Sequence, residues 1–224
     1  MEIKYDIVFS RRRSISIIVA PDEGVVVRAP YRMPLKAIDK FVRDKEEWIK
    51  KHTERSSEII RLNHSKKYVD GEKYLFLGRE LTLRIGTALF PSINQLDNIL
   101  KIITDGREGR VKMLLEGWYR KKAEDFVHGK FTEILDGHRN YGFSPAQMVV
   151  RPMKSRWGSC TSKGRITISS ELIKLDERFT EYVIIHELCH LKYHHHGKDY
   201  YRLLEELVPD YKAIRKDLRK YITR

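Results

Sequence analysis

The sequence predicts an α+β protein: a β-rich amino-terminal region over residues 1–105 carrying one helix, then a second domain over residues 106–224 built on a histidine-bearing helix that packs on a small sheet. Three observations lead there. β-branched runs punctuated by turn residues fill the amino-terminal region, a long apolar stripe of helical period follows, and the run YVIIHELCHLKYHHHG from Tyr182 to Gly197 sets two histidines and a glutamate in an apolar helix. No linker rich in Pro or Ser divides the chain, so one continuous domain is the alternative organisation.

In chain order, Ile7–Phe9, Ser14–Ala20 and Gly24–Pro30 read as strands, with APDEG as a turn between the last two, giving a hairpin or meander. Arg11, Arg12 and Arg13 cluster before the second strand, either to meet a phosphate or as a solvated group. Pro34 opens an amphipathic helix through about Arg55, with Leu35, Ile38, Phe41, Val42, Trp48 and Ile49 at helical spacing and Trp48 expected in the core. Tyr68–Gly86 alternates apolar and polar residues around DG and LG breaks, which predicts two strands, and Ile93–Ile103 supplies another pair. Arg107 to about Gly137 is a long helix whose stripe includes Leu115, Trp118, Ala123, Val127, Phe131 and Ile134.

MVVRPM and GRITISSEL read as strands joined by the compact segment KSRWGSC and the turn TSKG. The second strand leads into the histidine helix, with Asp176 as its N-cap, and is expected to form the edge along which an extended peptide lies. Beyond Gly197 helical periodicity resumes, and Pro209 interrupts it.

The chain carries 44 Lys and Arg against 31 Asp and Glu, a net charge of +13. That balance favours anionic partners such as nucleic acid or nucleotides, or describes a solvated basic surface. No zinc finger, RNP motif or Gly-rich phosphate loop accompanies it. No apolar run approaches the ~18–20 residues of a membrane helix, and MEIKYDIVFSRRR has no apolar core before a cleavage site. A cytoplasmic protein with no membrane contact is expected. Two cysteines, Cys160 and Cys189, are too few for a disulfide framework.

His186, Glu187 and His190 spell H-E-x-x-H. Residues four apart lie about 40° from each other around a helix of ~3.6 residues per turn, so both imidazoles leave one face, which suits a divalent metal. Glu187 stands about 100° further round, placed to take a proton from a water whose pKa the ion lowers toward ~7. A catalytic zinc takes three protein ligands and keeps a position open. His194 continues the row but sits ~12 Å along the axis from His186, too far for bonds near ~2.1 Å on a straight helix. His196 serves if the helix stops near Tyr193 and the chain folds back, a turn that Gly197 eases. The order of candidates is His196, then Glu205 or Glu206, then His194.

These residues resemble the YgjP-like metallopeptidase family, small zincins related to SprT-like proteases. The resemblance lies in R-W-G-S-C (Arg156 to Cys160), H-E-L-C-H (His186 to His190) and His196 followed by Tyr200 and Tyr201, and extends to RRRSISIIV, VVVRAP and DGEKYLFLGRELTL near the amino terminus. It implies a minimal zincin-like hydrolase domain with one zinc ion held by His186, His190 and His196, and Glu187 as general base. Tyr200-Tyr201 stands where relatives often carry Phe-Trp or Phe-Tyr, an exchange expected to alter packing and leave the chemistry alone.

The leading expectation is a zinc metallopeptidase acting on a peptide or protein. Hydrolysis of a nucleotide phosphoanhydride at the same site, releasing pyrophosphate, is the alternative. A nucleic-acid-binding protein with a structural zinc closed by Cys160 is the third. Arg156, Trp157 and Ser159 are read as a plug beneath the site or as substrate contacts, and His195, Tyr200 or Arg156 as the donor to a developing oxyanion.

Overall fold

The computed structural model describes residues 3–20, 24–50, 66–153 and 155–221. The chain divides into two compact units, Met1–Ser65 with Arg219–Arg224, and Lys66–Leu218. The fold is α+β, with three small sheets among the described residues.

In the first unit, β1 (Asp6–Ser10), β2 (Ser16–Ala20) and β3 (Gly24–Pro30) form a sheet of order β1-β3-β2. The expected β2–β3 hairpin pairs antiparallel, and its turn at residues 21–23 lies outside the described residues. β1 pairs parallel to β3, which a meander would not do. α1 (Leu35–Asp44) starts after Pro34, whose fixed φ and missing N–H suit a helix entry. Ile38 and Val42, one turn apart, bury against Val19, Val25, Val27 and Ala29. The helix expected through Arg55 instead breaks at Lys45 and resumes over residues 46–50; residues 51–55 are outside the described set. Ile49 takes the inward position there, and Trp48, expected in the core, is 39% exposed.

The second unit opens with β4 (Lys73–Phe76), β5 (Arg79–Thr87), β6 (Ser92–Leu96) and β7 (Ile99–Thr104), ordered β4-β5-β7-β6. β5 and β7 are parallel, and the outer pairs are antiparallel. The sequence alone groups these strands with residues 1–105. They belong instead with the following helix because Leu81, Leu83, Leu100 and Ile102 bury against Leu115 and Trp118 of α2 (Arg110–Gly137). The β4–β5 turn, Leu77-Gly78, has positive φ at both residues. It reaches the residues that precede the histidine helix: the Leu77 N–H donates to the Ile173 carbonyl at 2.8 Å and the Gly78 N–H to that of Lys174 at 3.3 Å.

The third sheet comprises β8 (Gln147–Arg151), β9 (Gly158–Cys160) and β10 (Arg165–Ser169), ordered β8-β10-β9. β10 was expected at the edge. It is central, parallel to β8 and antiparallel to β9, with Ile166, Thr167, Ile168 and Ser169 all buried. The edge on one side is therefore β9, a strand of three residues whose Gly-Ser-Cys composition carries little strand propensity. A 3-10 turn over Ser170–Lys174 leads into α3 (Glu177–Cys189), where Asp176 caps the helix by accepting from the Arg178 N–H at 3.0 Å. α4 (Lys198–Leu207) and α5 (Tyr211–Leu218) follow, separated at Pro209, and both pack on α3.

Candidate metal centre

α3 is apolar over most of its circumference, with Phe179, Tyr182, Val183, Ile184, Ile185 and Leu188 buried, so it sits inside the unit. Its first turn, at Glu177 and Arg178, is exposed, and at its carboxyl-terminal end His186 and His190 are half-buried. Backbone bonds from Leu191 to Leu188 and from Lys192 and Tyr193 to Cys189 wind the chain one further turn, to Tyr193, and there it leaves the helix. The reversal over residues 194–197 then returns His196 to the helix end.

His186, His190 and His196 consequently converge, with one ligand nitrogen of each within 4.8 Å of the others. The ring centroids of His186 lie 5.1 Å from His190 and 5.2 Å from His196, and those of His190 and His196 are 4.7 Å apart. Nε2 of His186 and Nε2 of His196 are separated by 3.3 Å. That matches the edge of a tetrahedron with bonds of ~2.05 Å, ~3.3 Å, so the pair fits one zinc-sized ion.

The Nδ1 atoms of His190 and His186 are occupied by the protein. His190 Nδ1 lies 3.1 Å from the Tyr193 carbonyl, which fixes Nδ1 as donor and turns Nε2 outward. The Tyr200 hydroxyl is 2.7 Å from His186 Nδ1 and donates to the His186 carbonyl at 3.2 Å. Burial also disfavours the charged imidazoles. His186 is pushed down to about 3, first by desolvation and then by His190, His196 and Arg215. His190 and His196 are lowered as well, with desolvation again the largest cause. Neutral imidazoles are the form that binds a metal, so the donor set fits a divalent cation.

Glu187 lies against β9 and is 4% exposed. Burial pushes its carboxyl up to about 8, while Arg156 draws it down. β9 passes so closely that a Cβ on Gly158 would stand 2.5 Å from Glu187 Oε1 and 2.9 Å from Val183 Cγ1. Gly158 was not among the residues singled out on sequence. The signal was its place inside R-W-G-S-C, where only a residue without a side chain lets a strand lie on the glutamate.

The other candidates divide. Arg156 is exposed and acts on Glu187 through its charge. Trp157 accepts from the Ser169 N–H at 2.8 Å through its carbonyl, and its indole N–H is buried without a hydrogen-bond partner among the described residues. Ser159 is half-buried opposite Thr167. Cys160 is half-buried, its thiol pushed up by burial and by Glu187, and it does not join the histidine cluster. His194 and His195 are exposed and outside the cluster. Glu205 pairs with Lys212 at 2.9 Å and Glu206 accepts from the Tyr141 hydroxyl at 2.6 Å, so the alternative third ligands are engaged elsewhere. Tyr200, considered as an oxyanion donor, is fully buried with its hydroxyl directed at His186.

A model of the YgjP-like metallopeptidase domain matches residues 13–221. The chain belongs to the YgjP-like metallopeptidase family. As a YgjP-like metallopeptidase it is a hydrolase of the metal-dependent class. Two solved structures are similar to this YgjP-like chain, both metallopeptidase zymogens. Abylysin of Pyrococcus abyssi is 27% identical with a TM-score of 0.38, covering 44% of this chain and 96% of its own. Jannalysin of Methanocaldococcus jannaschii is 24% identical with a TM-score of 0.37, covering 43% and 97%. No curated protein sequence matches significantly. Among the described residues, no helix of the YgjP-like chain is long and apolar enough to cross a membrane.

Proposed function

We propose that this YgjP-like protein is a zinc-dependent peptidase in which His186, His190 and His196 hold one ion and Glu187 is the general base. The convergence of three neutral imidazoles beside a buried glutamate carries the reading. A bound divalent ion supplies Lewis acidity, polarising the scissile carbonyl and acidifying the water next to it. Glu187 takes the proton of the attacking water and returns it to the leaving amine. Burial alone would leave this carboxyl largely protonated at neutral pH. Arg156 opposes that, and any cation held by the neighbouring imidazoles opposes it further.

The substrate is a peptide or protein segment in extended form. β9 supports this: it is an edge strand beside Glu187, paired to β10 on one side, so among the described residues its other row of backbone groups is available to a fourth strand. Arg156, at the approach to β9, adds a positive charge near the scissile bond.

The test is metal analysis of the purified protein together with cleavage of an unstructured protein such as casein. Zinc at one equivalent with cleavage that Glu187→Gln abolishes supports the proposal. A zinc-loaded protein that leaves every peptide intact while releasing pyrophosphate from nucleoside triphosphates would overturn the peptidase assignment.

A further inference from the structure

Tyr200 is the first large apolar-faced residue of α4 and has no exposed surface, yet its hydroxyl is directed into the histidine cluster. Its ring lies 4.7 Å from that of His190, 4.7 Å from that of His196 and 5.4 Å from that of His186. One side chain thus underlies all three imidazoles. His186 is among the last four residues of α3, where helix carbonyls need partners from outside the regular ladder, and the Tyr200 hydroxyl donates to the His186 carbonyl.

A hydroxyl has one proton. Once it is given to the His186 carbonyl, the oxygen faces His186 Nδ1 at 2.7 Å with lone pairs only, so Nδ1 must carry the imidazole proton. A neutral imidazole has a single N–H, and Nε2 is left bare on the side of His196. We infer that Tyr200 is a positioning residue that locks His186 in the tautomer required for ion binding through Nε2. The same hydroxyl ties the chain reversal that delivers His196 to the helix that carries His186 and His190. The inference rests on the proposed ion-binding role of the three histidines. It also reverses one expectation from sequence: the tyrosine at 200, expected to differ from phenylalanine only in packing, has its hydroxyl placed on a candidate ligand.

Tyr200→Phe keeps the ring and removes the hydroxyl, and Tyr201→Phe is the control, because the Tyr201 hydroxyl accepts from Arg215 at 3.4 Å instead. Two measurements apply: imidazole nitrogen NMR on the metal-free protein, and zinc affinity by chelator competition. Wild type and Tyr201→Phe are expected to show His186 in the Nδ1–H form. Tyr200→Phe is expected to lose that form and to bind zinc about 10- to 100-fold more weakly, the usual effect of removing an outer partner of a metal ligand. A Tyr200→Phe protein with wild-type tautomer and affinity would overturn the inference, as would a wild-type His186 found in the Nε2–H form, a result that stands even if the variant fails to fold. Failure of the wild type to hold zinc would instead refute the ion-binding reading, while the NMR spectra still decide the tautomer.

Discussion

Replacing Gly158 with alanine adds one methyl group at the closest approach between the third sheet and α3. The new Cβ would stand 2.5 Å from Glu187 Oε1, 2.8 Å from Glu187 Cγ and 2.9 Å from Val183 Cγ1, all inside van der Waals contact. Neither backbone has room to yield, so the Glu187 side chain must give way. β9 is held in register with Ile168 opposite Gly158, and α3 is fixed by its buried apolar faces. Gly158 does not have a left-handed φ, so the cost is steric and not a backbone penalty. Over-packing of this kind costs ~1–3 kcal/mol. In a domain of this size that lowers Tm by roughly 2–4 °C per kcal/mol. Activity should fall further than stability, because a shift of ~1 Å in a reacting group costs on the order of 100-fold in rate. The glutamate moves and the histidines do not, so zinc content should be unchanged. The assay is kcat for peptide cleavage, with Tm and bound zinc measured on the same preparations. A Gly158→Ala protein with wild-type kcat would refute the placement of Glu187 against β9, and one that lost its zinc would show that the strand supports the ligands instead.

Glu187→Gln should lower kcat by ~10²–10⁴-fold with zinc retained, and loss of the ion in that variant would argue that Glu187 is a ligand. In the metal-free protein the same carboxyl binds its proton up to about pH 8, whereas the unfolded chain releases it near 4.5. Between those values the folded state holds more protons, so stability falls as pH rises. His186, lowered to about 3 from 6.5, acts oppositely, and its contribution is lost as pH falls below 6.5. Urea unfolding should therefore show Glu187→Gln gaining on wild type by ~1 kcal/mol or more from pH 4.5 to 8, and a pH-independent difference would contradict the burial of Glu187. Removing metal with a chelator should abolish cleavage and lower stability by ~2.7 kcal/mol relative to protein at a free zinc concentration 100 times Kd, read as a zinc-dependent Tm. Asp176→Ala removes the cap accepting from Arg178 and should cost ~0.5–2 kcal/mol without changing zinc affinity, checked by urea unfolding and chelator competition.

Much of the fold was legible because it is written in local patterns. β-branched runs marked β2 and β3, alternation marked β5, period 3.6 marked α2, and the Asp176 cap and the Pro209 break stand where their chemistry predicts. The failures fall where pairing partners are distant in sequence. β1 joins β3 in parallel, β10 lies centrally, and β4–β7 pack on α2, all decided by contacts between residues far apart along the chain. β9 was invisible because three small or polar residues have no period to read, and the buried position of Ile49 displaced Trp48 outward by the phase of one helix.

Two histidines four apart and an intervening glutamate are fixed by helix geometry, so His186, Glu187 and His190 needed nothing beyond their spacing. The third nitrogen is different. Four residues were possible on sequence, and the reversal after Tyr193 brought His196 within reach while Lys212 and Tyr141 engaged Glu205 and Glu206. The contact of Gly158 with Glu187 and the hold of Tyr200 on His186 arise from the same cause: each joins elements whose relative placement is set by burial of distant apolar faces, a quantity no local window contains.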